Sequence, residues 1–290
     1  MTKRRVYKVL IYVMLILLAA FFIAPILVVF TNSFMSSYEL INRYSASVLP
    51  SNDVYAVDGV HYVRFSLIPD VITLEQYRQL FFDTPAYFNS FLNSVFLALP
   101  IVAGQVLFSA PAAYAFEMSR FRHKEKIFFV YIVIMLLPLQ VTLVPNFIMA
   151  DMMGLLGTRA SVILPAALNP LGVFLLRQYL RGLPHEYCEA AQLDGASHLR
   201  IIFSVVTPIF KPALAALIIL TFANNWNIVE QAIVFLTVEQ FPLSVYLAGM
   251  AIRSLDIIFA ASFLYLLPPL LMFLYLKKNL VEGITLTGIR

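Results

Sequence analysis

Six stretches of the chain carry no charged side chain: 9–30, 86–116, 127–150, 160–176, 212–229 and 257–276, of 22, 31, 24, 17, 18 and 20 residues. About 20 apolar residues are needed for a helix to cross roughly 30 Å of hydrocarbon, with some latitude for tilt. Each run therefore reads as a membrane-crossing helix. Composition agrees: 61% of the 290 residues are hydrophobic and 12% are charged, against about a quarter charged in soluble domains. The expected fold class is an all-α polytopic membrane protein with six transmembrane helices.

The first run follows Lys3, Arg4, Arg5 and Lys8. It exceeds the 7–15 residues of a secretory signal's apolar region, so it is expected to stay in place as a span. A further stretch, 228–252, is interrupted by Glu230, Glu239 and Pro242 and is placed outside the bilayer or at its surface. With both termini cytoplasmic, the inside segments hold fourteen basic residues, among them Arg120, Arg122, Lys124, Lys126, Arg177, Arg181 and Arg200. The outside segments hold five: Arg43, Arg64, Arg78, Arg159 and Arg253, with Lys211 near a helix start left uncounted. That excess follows the positive-inside rule. The pI near 9.1 thus reflects orientation charges and not a nucleic-acid surface. Arg177 is expected to close the fourth span by snorkelling.

Several chemistries are excluded. Cys188 is the one cysteine, so there is no internal disulfide or cysteine metal cluster, and no two of the four histidines have helical ligand spacing. No Gly-Lys pair occurs, so the chain has no P-loop. No nucleophile motif is present and no span holds paired carboxylates, so the chain is not expected to be an enzyme. The middle of every run lacks charge, which argues against the proton relays of secondary transporters.

Residues 184–212, PHEYCEAAQLDGASHLRIIFSVVTPIFKP, differ from the runs around them. Pro184 suits a first helical turn, and His185 to Leu193 is expected to be helical with Glu186 at its positive end. Ala190 and Ala191 leave a slim surface for close packing. Gly195 stops the helix, and Ser197 caps a second one whose apolar face is Leu199, Ile202, Phe203 and Val206. The outcome is a short lever on the membrane surface. The preceding external segment, 31–85, predicts a small hairpin around Asp58-Gly59 and is read as a lid on the helix ends or a docking surface for an external partner.

Glu189-Ala190-Ala191, Asp194-Gly195-Ala196, Pro208 and Pro212 resemble the EAA loop of ABC-importer permease subunits, more narrowly the maltose-type carbohydrate permeases. FLNSVFLAL at 91–99, APAAYAFEMSRF at 110–121, LPLQVTLVPNF at 137–147, MGLLGT at 153–158, NNWN at 224–227 and LVEGITLTGIR at the end agree. The likeness covers roughly 86–290, with 43–62 as an insertion. Two departures are Thr207, where the family usually carries Leu, and the tail Thr287-Gly288-Ile289-Arg290, which leaves a tail contact with the ATPase open.

The resemblance implies a type I ABC importer permease fold in two parts. Residues 1–85 form a transmembrane helix with an external loop, and 86–290 form a permease core with a cytoplasmic coupling helix between helices 4 and 5. It implies ATPase docking through Glu189, Ala190, Ala191, Asp194 and Gly195, with Glu189 pairing an arginine. It further implies a homologous permease subunit, two ATPase subunits that bind ATP and Mg²⁺, an external solute-binding protein, and a carbohydrate ligand carried across a bacterial cell membrane. This chain itself is expected to bind no cofactor and no metal. Neutral polar residues are the candidates for the pathway: Asn93, Gln140, Asn146, Asn224, Asn225, Trp226 and Asn227, with Gln105, Ser109, Thr142 and Asn169 in the same runs. Amides offer donor and acceptor together, although a membrane Asn also serves as glue between helices. A glycerol-phosphate-like solute, or transport without an ATPase, are the alternatives.

Overall fold

The computed structural model describes residues 2–44, 56–57, 60–61, 67–119, 121–182, 184, 186–209, 211–253 and 255–287. In chain order the elements are α1 (Thr2–Asn32), α2 (Ser37–Tyr44), the two-residue strands β1 (Ala56–Val57) and β2 (Val60–His61), α3 (Glu75–Arg78) with a π-helical turn at Gln79–Asp83, and α4 (Pro85–Met118). There follow α5 (Lys124–Met135), α6 (Leu139–Met152), α7 (Ala160–Ala167), α8 (Pro170–Leu180), α9 (Glu186–Leu193) and α10 (His198–Ile201). A π turn at Ile202–Val206 then leads to α11 (Thr207–Ile209), α12 (Lys211–Trp226), α13 (Glu230–Phe235), α14 (Leu243–Arg253) and α15 (Ile258–Thr287). The strands pair antiparallel, Ala56 with His61 and Val57 with Val60, as the hairpin reading expected. Asp58 and Gly59 lie outside the described residues, as does most of the 43–62 insertion.

Among the described residues, four helical stretches are long and apolar enough to cross a membrane: Tyr7–Asn32, Pro85–Met118, Ala160–Leu180 and Ile258–Leu280. The expected third and fifth spans are broken. α5 and α6 meet at 103° across Leu136–Pro138. Pro138 has no N–H and is extended at φ −62°, ψ 147°, so it cannot continue the ladder. α12, with 16 residues, is short for a span unless the helical turns before it are added. The count is thus four spans, or six if each bent pair counts as one. α13 and α14, with 6 and 11 residues, are too short to cross, as the charged 228–252 stretch predicts.

The chain divides into two compact units, Met1–Asn89 with Tyr246–Leu267, and Ser90–Val245 with Pro268–Arg290. In the first, buried Gln76 donates to Asn32 O at 2.7 Å and Met35 O at 2.9 Å and accepts from Ala260 N at 3.1 Å. Tyr87 donates to Ala261 O at 3.1 Å. Glu39, 7% exposed, accepts from Asp70 N and pairs with Arg43, which also holds Asp70 at 2.6 Å. The Asp70 hydrogen bond pushes the Arg43 guanidinium further up from its ordinary value. The described part of the 31–85 segment therefore packs onto the end of α1 and the start of α15. From Tyr7 to Leu27 the side chains of α1 are exposed, an apolar surface that only lipid or another apolar surface can cover.

The second unit holds three apolar cores among the described residues, one of them joining Phe116 of α4, Phe128 of α5 and Val173 of α8. Another joins α4 (Ala113, Tyr114), α8 (Leu176, Leu180), Cys188 of α9, Ile201 and α12 (Leu217). The third joins Leu97 and Ile101 of α4 to Val162, Ala232 and Phe235. Close crossing of α4 and α8 depends on Gly172, where an added Cβ would fall onto Ser109 Oγ and Gln105 Nε2.

Candidate functional site

Two places in the second unit carry the candidate functional side chains. The first is the elbow after α8. Helix α9 ends as expected: Gly195 adopts φ 78°, with Gly195 N donating to Gln192 O and Ala196 N to Ala191 O, both at 3.0 Å. This is the Schellman closure that glycine allows without a Cβ penalty. Ser197 caps α10 by accepting from Arg200 N at 3.4 Å. The reading of the next apolar face needs correction. Ile201, Ile202 and Val206 are buried, whereas Leu199 is 64% exposed and Phe203 58%. The π turn at Ile202–Val206 adds a residue to the turn and rotates the phase. Thr207 fits this turn, since its hydroxyl donates to Ile202 O at 2.7 Å.

α9 is held from one side only. Cys188 is buried and Ala191 packs on the same core, while Glu189, Ala190, Asp194 and Gly195 face solvent. Leu193 is 89% exposed and Tyr187 56%. His185, the expected first helical residue, lies outside the described residues. Burial pushes the Cys188 thiol up from its ordinary value.

The second place is a cavity of about 910 Å³. Its wall includes Asn146, Asn169, Asn224, Asn225 and Asn227, with Gln105, Gln231, Thr142, Thr221 and Ser161. Glu230 is the one charged side chain among the described lining residues, and Gln140 Nε2 donates to it at 3.4 Å. Asn146 and Asn224 make no side-chain hydrogen bond to a described residue.

The sequence candidates divide here. Asn146, Asn224, Asn225 and Asn227 line the cavity, and Gln140 reaches it through Glu230. Asn93 stands apart: its Nδ2 donates to Glu239 O at 2.8 Å and Phe241 O at 3.2 Å, and its Oδ1 accepts from Arg159 Nη2 at 2.8 Å. Trp226 is 2% exposed, stacked on Phe222 at 5.3 Å and edge-on to Phe91 at 5.7 Å. Gln105 donates to Asn169 O at 2.7 Å, while Asn169 Oδ1 caps α8 at Leu171 N.

Residues 90–282 match the model of the binding-protein-dependent transport system inner membrane component family. The chain belongs to this family. As the membrane component of a transport system it is a multi-pass cell membrane protein and not itself a catalyst. It is 29% identical over 262 residues to the arabinooligosaccharides transport system permease protein AraQ of Halalkalibacterium halodurans, covering 89% of this chain and 92% of that one. The Bacillus subtilis protein of the same description is 30% identical over 248 residues, covering 84% and 87%. In fold the permease is similar to a chain in the crystal structure of a bacterial ABC transporter involved in the import of the acidic polysaccharide alginate, with a TM-score of 0.76 at 24% identity over 96% and 98% of the two chains.

Sequence reasoning missed three features of the permease. Leu193, Leu199 and Tyr187 stand exposed on the elbow. A window average could not separate them from core residues, although their place on a charged loop was a signal. Arg177 is 1% exposed and ion-paired, so it does not snorkel to water as expected. The sorting of the asparagines had no sequence signal, because side-chain direction depends on where other helices lie.

Proposed function

We propose that the chain is one permease subunit of a bacterial ATP-driven importer for a neutral sugar or oligosaccharide. Its partners are a homologous permease subunit, two ATPase subunits that hold ATP and Mg²⁺, and an external solute-binding protein. Both termini are cytoplasmic, and the elbow seats in a cleft of an ATPase subunit through Glu189, Ala190, Ala191, Asp194 and Gly195. ATP-driven closure of the ATPases moves the elbow and turns the pathway outward, and hydrolysis returns it to release ligand inside.

The observation that carries the ligand class is the polar part of the cavity wall: amides and hydroxyls, one carboxylate, and no cation among the described lining residues, set among apolar side chains. An anion such as a glycerol phosphate would lose its hydration without gaining a countercharge. Neutral hydroxyls match the paired donors and acceptors of Asn146 and Asn224.

Magnitudes support the docking role. An exposed ion pair at Glu189 contributes about 0–1 kcal/mol, while driving a two-state equilibrium from 1:99 to 99:1 takes about 5.5 kcal/mol. Burying Leu193, Leu199 and Tyr187 at roughly 1.5–3 kcal/mol each reaches that range. The test is expression with the co-encoded subunits: a stable complex forms, and a neutral oligosaccharide with its binding protein stimulates ATP hydrolysis. A lone chain that transports down an ion gradient overturns the reading.

A further inference from the structure

Three helix ends meet around one buried cation. Arg177, a turn before the end of α8, directs Nε to Glu117 Oε2 on α4 at 3.0 Å and Nη2 to Glu125 Oε1 on α5 at 2.5 Å. Its guanidinium sits 3.9 Å from the centroid of the Phe128 ring. Arg181, one turn further on, reaches the same two carboxylates at 3.8 and 3.9 Å.

The two attachments differ in kind. α4 and α8 are locked independently by the close approach at Gly172 and by the bond from Gln105 to Asn169 O, and Glu117 is 14% exposed. Glu125 is 64% exposed and sits in the first turn of α5. It can return to water with little desolvation to undo, whereas Arg177 and Glu117 cannot. As a brace the cluster is poorly made. Desolvating buried charges offsets their attraction, and Arg177 Nη1 is buried with no acceptor among the described residues.

Position gives the contact a use. α5 runs from Glu125 to the break at Leu136–Pro138, and Tyr131, Ile134, Met135 and Leu137 line the polar cavity. α8 leads within five residues to α9, the elbow helix. Resting on the coupling role proposed above, we propose that Glu125 and Arg177 form a latch that, on top of the apolar packing of Phe128 against Phe116 and Val173, sets where the α5 wall of the cavity rests against the α4–α8 block. Movement of the elbow, passed along α8, releases it. Arg181 gives the freed carboxylate a second partner, so the latch slips and leaves no charge stranded. Bistable contacts of this kind convert small shifts into discrete steps.

The experiment uses the full complex with its co-encoded partners in a Cys188→Ser background, with spin labels at V130C on α5 and Q178C on α8. The expected distance lengthens by about one helical turn, ~5 Å, between the nucleotide-free state and the state trapped with ATP and vanadate. In E125A the long distance is populated without nucleotide, and E125D restores the short one. Glu117 still pairs with Arg177 in E125A, so the variant assembles, with a Tm lowered by the partner that the buried guanidinium loses. An unchanged distance in E125A, or a wild-type distance that ignores nucleotide, overturns the latch. A lowered Tm with an unchanged distance identifies a plain brace and overturns it too. Failure of the wild-type complex to hydrolyse ATP overturns the importer reading instead, which separates the two.

Discussion

The elbow and the polar cavity depart from the usual partition of side chains in opposite senses. On the elbow, leucines and a tyrosine stand in solvent beside charged residues, and of the α9 side chains Cys188 and Ala191 turn toward the core. In the cavity, amides and hydroxyls, with Asn224 and Asn227 exposed, line an open recess of a unit whose outer surface is apolar. A lone exposed leucine is ordinary; a cluster of them on a loop of a charged, slender helix is not. On the function proposed above, each inversion marks a surface completed by another molecule: the exposed apolar groups seat on protein, and the recessed amides contact a hydroxylated ligand.

The largest expected effect breaks the elbow side. Changing Leu193→Asp and Leu199→Asp together removes two apolar anchors worth roughly 3–6 kcal/mol when buried, so affinity for the ATPase subunit falls on the order of a hundredfold or more. Co-purification and titration of ATPase activity measure this. Retained affinity would mean the elbow is not gripped through its apolar face.

The cavity side is sharpened by two asparagines of the same run type. Asn93→Leu leaves Glu239 O, Phe241 O and Arg159 unpaired, which costs roughly 2–4 kcal/mol of stability and leaves KM unchanged in whatever complex assembles. Asn224→Leu has the reverse profile, with an unchanged Tm and a KM for sugar transport raised about fivefold, or ~1 kcal/mol. Identical profiles for the two would erase the distinction between glue and ligand contact.

Glu189→Gln is expected to weaken ATPase docking by at most about 1 kcal/mol, far less than the leucine pair. A larger loss by the same titration would make charge, not apolar burial, the main grip. Smallest is a pH effect at Cys188. Burial raises its pKa above the ordinary 9.0, so the thiolate fraction at pH 8 is below that of a free thiol. Maleimide labelling of the intact complex is then slower than for a free cysteine, and it accelerates as pH rises or when denaturant opens the elbow. Labelling at the free-thiol rate would show that α9 does not seat Cys188 in the core.

Much of the fold was legible. Four of the six uncharged runs marked a helix long enough to cross, because a charge at mid-bilayer is costly. Gly195 and Ser197 marked the turn inside the elbow, because a left-handed residue and a capping hydroxyl are local requirements. Pro138 tells from sequence that the ladder stops, because its N–H is missing, but not how far the chain then turns. The exposed Phe203 was misplaced because a π turn at Ile202–Val206 changes the helical phase without any residue that announces it. Asn93 and Trp226, read alongside the cavity residues, take their partners from α7, the 239–241 turn and Phe91. Those contacts join positions tens of residues apart.

What the sequence determined alone was everything that depends on a residue and its near neighbours: which stretches are apolar enough for lipid, where helices start and stop, and which loop is polar. Only the tertiary structure decided which asparagines keep free amides, which leucines stay outside, and that Arg177 is buried between two carboxylates. Those outcomes turn on the direction a side chain takes once other helices have packed against its own, and no local pattern encodes that.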